Sequence, residues 1–102
     1  MTASAYLIVE SKVTDPEAFK RYMDAAPAVA KAFGGEYLVR GGRMQVLEGD
    51  WQPPRLTVLR YPSIEQAQAM YDSPGYVAAR AMRQGATACF NMVVVEGVDA
   101  PI

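Results

Sequence analysis

The apolar positions of this chain change period several times, and each change marks an element. "AYLIVESKV", Ala5 to Val13, is rich in β-formers and predicts a first strand. Phe19, Tyr22, Met23, Ala26, Ala30 and Phe33 then recur at three- and four-residue steps, the single apolar stripe of a helix. Thr14 stands three residues before Glu17 with Pro16 between them, a capping-box spacing with proline in the first turn. Pro27 falls inside the stripe and lacks a backbone donor, which predicts a kink near Met23. Gly34-Gly35 stops the helix.

Shorter segments follow. "EYLVR", Glu36 to Arg40, predicts a second strand, and "MQVLE", Met44 to Glu48, continues it or adds a short strand after Gly41-Gly42. "GDWQPP" reads as a loop, because consecutive prolines do not sit inside a sheet. "RLTVLRY", Arg55 to Tyr61, is a third strand. Ser63 with Gln66 and Ser73 with Pro74 mark two helix starts, the second helix stopping at Gly85. "CFNMVVVEGV" is the last strand, ending near Glu96. The order β-α-β-(β)-β-α-α-β predicts an α+β, ferredoxin-like βαββαβ domain spanning residues 1–102. It has an extra short strand or hairpin extension, and an antiparallel sheet with helices on one face. The strands are apolar on both faces, and no further helix is left to cover the second; a second copy of the chain would, sheet against sheet.

Composition narrows the chemistry. The 102 residues suit one domain, and an apolar share of 51% supports a globular core. A net charge of −1 with no dominant basic patch disfavours nucleic acid as a partner. No apolar run approaches a membrane span, no signal peptide is recognisable, and a single cysteine, Cys89, rules out an internal disulfide. A cytoplasmic protein without membrane contact is therefore expected. The chain has no histidine, so the commonest metal ligand and general base are both missing. The expectation is no cofactor and no tightly bound metal or haem.

"VTDPEAFKRY", "GGEYLVRGGRMQVLEGDW", "RLTVLRYPSIEQAQAMYDSPGY" and "ARAMRQGATA" together resemble the bacterial domain-of-unknown-function family 1330 over nearly the whole chain, with "LVRGG", "LEG-W" and "Y-SP-Y" as its specific elements. That resemblance implies a place in the dimeric α/β-barrel superfamily of ferredoxin-like folds. There two sheets pack face to face, and each chain holds a pocket between sheet and helices. Relatives in the superfamily include cofactor-independent monooxygenases, muconolactone isomerase-like enzymes, haem-dependent enzymes and proteins without known activity.

Within this frame certain residues stand out. Beyond Lys31 every basic residue is arginine, the side chain suited to gripping a carboxylate or stacking on a ring. Tyr76, Ala79, Arg80 and Arg83 share one helical face, with Val77, Ala78, Ala81 and Met82 opposite as the apolar face. The Tyr/Arg face either lines a pocket mouth or is solvated. Tyr71 follows Ile64, Ala67 and Met70 at core-like spacing, so its ring is expected to be buried, either in the core or against a pocket. Arg40 ends a strand before two glycines and either pairs with Glu48 across the hairpin or holds an anionic ligand while Glu48 acts as base. Asn91 interrupts an apolar strand and needs polar partners. Cys89 reads as a small buried apolar residue. Trp51 is an interface anchor or a pocket lid, and the dimeric resemblance favours the interface.

Two functions compete on this reading. One is a metal-free isomerase, cyclase or cofactor-independent monooxygenase acting on a small aromatic or anionic metabolite. Arg40, Tyr76, Arg83 and Asn91 would bind it, and Glu48 and Tyr71 would move protons. The other is a non-catalytic ligand-binding or structural homodimer.

Overall fold

Alternation governs β1 (Ala5–Val13), where Ala5, Leu7, Val9 and Ser11 are buried and their neighbours are not. The computed structural model describes residues 3–98; the outermost residues of the expected 1–102 domain lie outside it. β1 lies inside a four-stranded antiparallel sheet of order β2-β3-β1-β4, with β2 (Glu36–Arg40), β3 (Leu56–Tyr61) and β4 (Thr87–Glu96). Three helices cover one face: α1 (Pro16–Ala32), α2 (Ile64–Asp72) and α3 (Pro74–Met82). This is the ferredoxin-like α+β arrangement that the order of periodicities predicts.

Local chemistry sets most of the boundaries. α1 is capped by Asp15 rather than Thr14. The Asp15 carboxylate accepts the Ala18 N–H at 3.2 Å, while the Thr14 N–H donates to the Ala86 carbonyl at 2.8 Å. Pro16 fills the first helical position, so the residue directly before it is the one placed to cap. Ser63 and Ser73 cap α2 and α3 as their spacing predicts. Ser73 also donates its hydroxyl to the Met70 carbonyl at 2.7 Å, so one buried serine closes α2 and opens α3.

The expected continuation over Met44–Glu48 does not form a strand; residues 42–47 carry no regular structure. Gly41, at φ +69°, donates to the Leu56 carbonyl and then turns the chain out of the ladder. β2 is an edge strand, so no partner awaits the segment beyond it.

The core lies between sheet and helices, with Leu7, Val9, Leu59, Tyr61, Met70 and Tyr76 at its centre. The other sheet face is uncovered. The molecule is a slab 41 × 38 × 16 Å, two layers thick. On the open face Ile8 sits between Val58 and Val93, and Val39 extends the row across β2. Polar rows flank it: Glu36 and Arg60 form an ion pair at 2.9 Å on one side, and Glu10 beside Asn91 forms the other. Among the described residues no helix is long and apolar enough to cross a membrane, and no group of three or more acidic or cysteine side chains gathers as a metal site would require.

Candidate functional site

Two hollows open on the helix-covered side of the sheet. The first lies between the sheet and α1, has a volume of about 50 Å³, and is lined by apolar side chains together with Tyr22, Tyr37, Tyr61 and Tyr76. Arg40 and Arg55 also line it. An apolar cavity that takes a benzene ring measures about 150 Å³, so this space admits a small head group and not a whole ring system.

Tyr61 is the most enclosed of these residues, at 0% exposure, and its hydroxyl has no hydrogen-bond partner among the described residues. A buried hydroxyl without a partner costs roughly 1–3 kcal/mol. Glycine at position 35 makes this packing possible. A β-carbon there would stand 2.8 Å from the Tyr61 ring and 2.9 Å from the Ala30 carbonyl oxygen. Burial pushes the Tyr61 phenol well above its ordinary range, with Tyr37 and Tyr76 adding in the same direction. Tyr22 is pushed up chiefly by burial and then by Tyr76, against a smaller opposing pull from Arg83. Both are neutral hydrogen-bonding phenols at physiological pH, not phenolates.

Arg40 is held by a consequence of the α1 sequence. Pro27 does not break α1, which runs unbroken from Pro16 to Ala32, but it offers no N–H to the carbonyl four residues earlier, at Met23. The Arg40 guanidinium supplies that donor at 2.7 Å and lies 4.9 Å from the centre of the Tyr37 ring. Of the two readings of Arg40, the pair with Glu48 is accordingly not formed. Glu48 is exposed in the irregular segment and lines neither hollow. Arg55 lies against Gly41, where a β-carbon would come within 2.5 Å of its guanidinium. Residue spacing held no sign of Arg55; its position opposite the Gly41 turn, which opens a slot for the guanidinium, is the signal that would have found it.

The second hollow lies between α2, α3 and the edge strand β4. It is wider, about 510 Å³, and takes in Tyr71, Arg80, Arg83, Phe90 and Asn91. Of the two readings of the Tyr/Arg face of α3, pocket mouth or solvated surface, the structure shows the first. Tyr76 and Ala79 are buried and Arg80 and Arg83 partly so, whereas Val77 is 49% and Met82 43% exposed. The arginines gain by facing inward because aromatic rings meet them: Arg80 over Tyr71 at 4.4 Å, Arg83 over Phe90 at 3.6 Å. Tyr71 is half-exposed at 36%, which corrects the expectation of a buried ring; it ends α2 at the rim, where Arg80 covers one face. The Tyr22 and Tyr76 hydroxyls are 2.8 Å apart, and Arg83 reaches the Tyr76 oxygen at 3.4 Å, so this pair joins the two hollows.

Asn91 donates to Glu10 at 3.0 Å and Trp51 donates its indole N–H to the same carboxylate at 3.1 Å. Those contacts put both residues against the open sheet face, although Asn91 also reaches the rim of the second hollow. Cys89, expected to be buried, is partly exposed near the start of β4. The ion pairs among the described residues are Lys20–Asp24 and Arg60–Glu36, so none of Arg40, Arg55, Arg80 and Arg83 meets a carboxylate there. The structure therefore groups Arg40 with the first hollow and Tyr71 and Arg83 with the second, places Tyr76 between them, and leaves Glu48 and Trp51 outside both.

Comparison with known proteins supports the architecture. The family model described as Domain of unknown function (DUF1330) matches residues 4–98. No curated protein matches. Among solved structures, RPA0582, a protein of unknown function from Rhodopseudomonas palustris, superposes with a TM-score of 0.75 at 17% identity, covering 98% of this chain and 86% of that one. A dimeric protein of unknown function with a ferredoxin-like fold from Bacteroides fragilis gives 0.62 at 13% identity, covering 92% and 96%. SnoaB, a cofactor-independent oxygenase from Streptomyces nogalater, gives 0.67 at 9% identity, covering 97% of each chain.

Proposed function

Since the chain belongs to the DUF1330 family, whose activity its description leaves open, we propose from the site that it is a homodimeric small-molecule-binding protein. Its first hollow takes the oxygen-bearing head group of a small aromatic or anionic metabolite. The observation that carries this reading is the Tyr61 hydroxyl, fully buried and without a partner in a hollow that Arg40 and Arg55 also line. A carboxylate or enolate group would accept from the Tyr61 phenol, which donates one hydrogen bond, and from the guanidiniums along the hollow, each of which donates several. With about 50 Å³ available, the head group enters and the body of the ligand stays at the mouth, where Arg40 and the Tyr37 ring meet it.

The dimer is supported by the uncovered apolar row on the sheet and by the dimeric description of ferredoxin-like neighbours. Leu47, at 88%, and Trp51, at 60%, are also exposed on the segment beside that face. A single chain leaves this surface in water, and a second copy with the same surface removes it.

One test is a nuclear magnetic resonance titration with acetate, benzoate and 4-hydroxybenzoate. The expected result is saturable shifts at the Tyr61 ring and at the side-chain N–H groups of Arg40 and Arg55. Arg55→Gln should weaken binding about ten- to a hundredfold, the range for losing a charged hydrogen bond. Shifts that never saturate, or that persist unchanged in the variant, would overturn the assignment.

A further inference from the structure

The second hollow has features that the first does not explain. Its volume of about 510 Å³ lies in the range of small-molecule sites. Its floor is apolar, formed by Leu7, Ala67, Met92 and Val94. Its wall carries two guanidiniums, from Arg80 in the last turn of α3 and from Arg83 at its C-cap, and neither meets a carboxylate among the described residues. The nearby Asp72 carboxylate is turned to Gln68, whose amide donates to it at 3.0 Å.

The way these guanidiniums are held bears on what they bind. Arg80 lies over Tyr71 at 4.4 Å, and Arg83 lies over Phe90 at 3.6 Å. Rings take up the flat faces and leave in-plane N–H donors for an anion, whose two oxygens match the guanidinium fork. Arg83 donates one long bond, 3.4 Å to the Tyr76 hydroxyl, and its Nε is buried with no partner among the described residues. A guanidinium that is partly removed from water and lacks a counter-charge is costly, and an incoming anion relieves that cost.

We propose that this hollow is a second binding site, separate from the one beside Tyr61, for a small organic anion with a flat apolar body: an aryl carboxylate or aryl phosphate. The anionic group is clamped between Arg80 and Arg83, and the ring lies on the floor formed by Met92 and Val94. The sizes of the two hollows make the division: the first admits a head group, and the second admits a whole aromatic acid.

The test uses the full-length protein and two probes, phenyl phosphate and benzoate, with benzamide as the neutral counterpart. Titration followed by nuclear magnetic resonance should shift the Nε–H signals of Arg80 and Arg83 saturably with either anion. Benzamide should bind at least tenfold more weakly. Arg80→Gln, at a partly exposed position, should weaken anion binding tenfold or more while leaving the thermal midpoint and the shifts at Tyr61 and Arg55 intact. Arg83→Lys keeps the charge, loses the planar fork, and should weaken binding by a similar factor. Shifts confined to Arg40, Arg55 and Tyr61 would assign the anion to the first hollow alone and overturn the proposal. Equal binding of benzamide, or binding unchanged in both variants, would overturn it as well. A failure at Arg55 leaves this site standing, and a failure at Arg80 and Arg83 leaves the first, because the two sets of signals are separate.

Discussion

Ile8→Asp is expected to convert the proposed sheet-to-sheet dimer into a folded monomer. Ile8 sits on a central strand, facing Val58 on one side and Val93 on the other, in the middle of the uncovered sheet face. In a single chain its side chain is only half-buried and points away from the helices, so the carboxylate of the variant remains hydrated and the fold persists at a cost of about 1 kcal/mol in strand preference. In a sheet-to-sheet dimer the same carboxylate is desolvated without a partner, with Glu10 two residues along the same face. An uncompensated buried charge costs roughly 3–5 kcal/mol, which raises the dimer dissociation constant by about a hundred- to several thousandfold. If Trp51 lies at the edge of that proposed interface, Trp51→Ala should cost about 2 kcal/mol, near thirtyfold, by removing a large apolar surface that Glu10 holds in place. Sedimentation at micromolar concentration, with circular dichroism to confirm the fold, reads both. A wild-type chain that sediments only as monomer, or an Ile8→Asp variant with an unchanged dissociation constant, removes the sheet-to-sheet dimer.

The fold was legible because several local signals agreed. The alternation of β1, the serine caps of α2 and α3 and the glycine stops each fixed a boundary, and together they left one topology. The departures share a cause: tertiary partners that sequence spacing does not reveal. Spacing left open whether the Tyr/Arg face of α3 lines a pocket or is solvated. The rings of Tyr71 and Phe90 decide it, since an arginine stacked on an aromatic ring buries its stem and keeps its donors. Spacing offers Arg40 either Glu48 across the hairpin or an anionic ligand. Its actual partner is the Met23 carbonyl, freed by a proline thirteen positions earlier in the chain than the arginine itself. Pro27 was legible as a lost donor; that the orphaned acceptor would take a side chain from another element was not. The expected strand over Met44–Glu48 had adequate composition but no neighbour beyond the edge of the sheet, and strand preference without a partner does not make a strand.

Tyr61 should give the widest spread of stability at any single position, with opposite signs for two replacements. Tyr61→Ala empties a fully enclosed site against Leu59 and Met70 and should cost roughly 3–5 kcal/mol, the range for deleting a buried aromatic ring. For a domain of this size each 1 kcal/mol moves the thermal midpoint by about 4–8 °C, so the variant would be close to unfolded at ordinary temperatures. Tyr61→Phe keeps the ring and removes only the hydroxyl, which is buried without a partner. Removing an unsatisfied group relieves its desolvation, so the Phe variant should be more stable than wild type by about 1 kcal/mol while binding the carboxylate probes less well. Alkaline pH supplies an independent check. Burial raises the folded-state pKa of Tyr61 above the unfolded value of about 10, so the folded state holds its proton longer than the unfolded one. The corresponding stability is fully present below about pH 10 and is lost as pH climbs toward the folded value, and Tyr61→Phe should flatten that decline. If the Phe variant is instead destabilised by more than about 1 kcal/mol, the hydroxyl is already satisfied in the free protein. It would then not be waiting for a ligand, and the case for the first hollow would rest on the arginines alone.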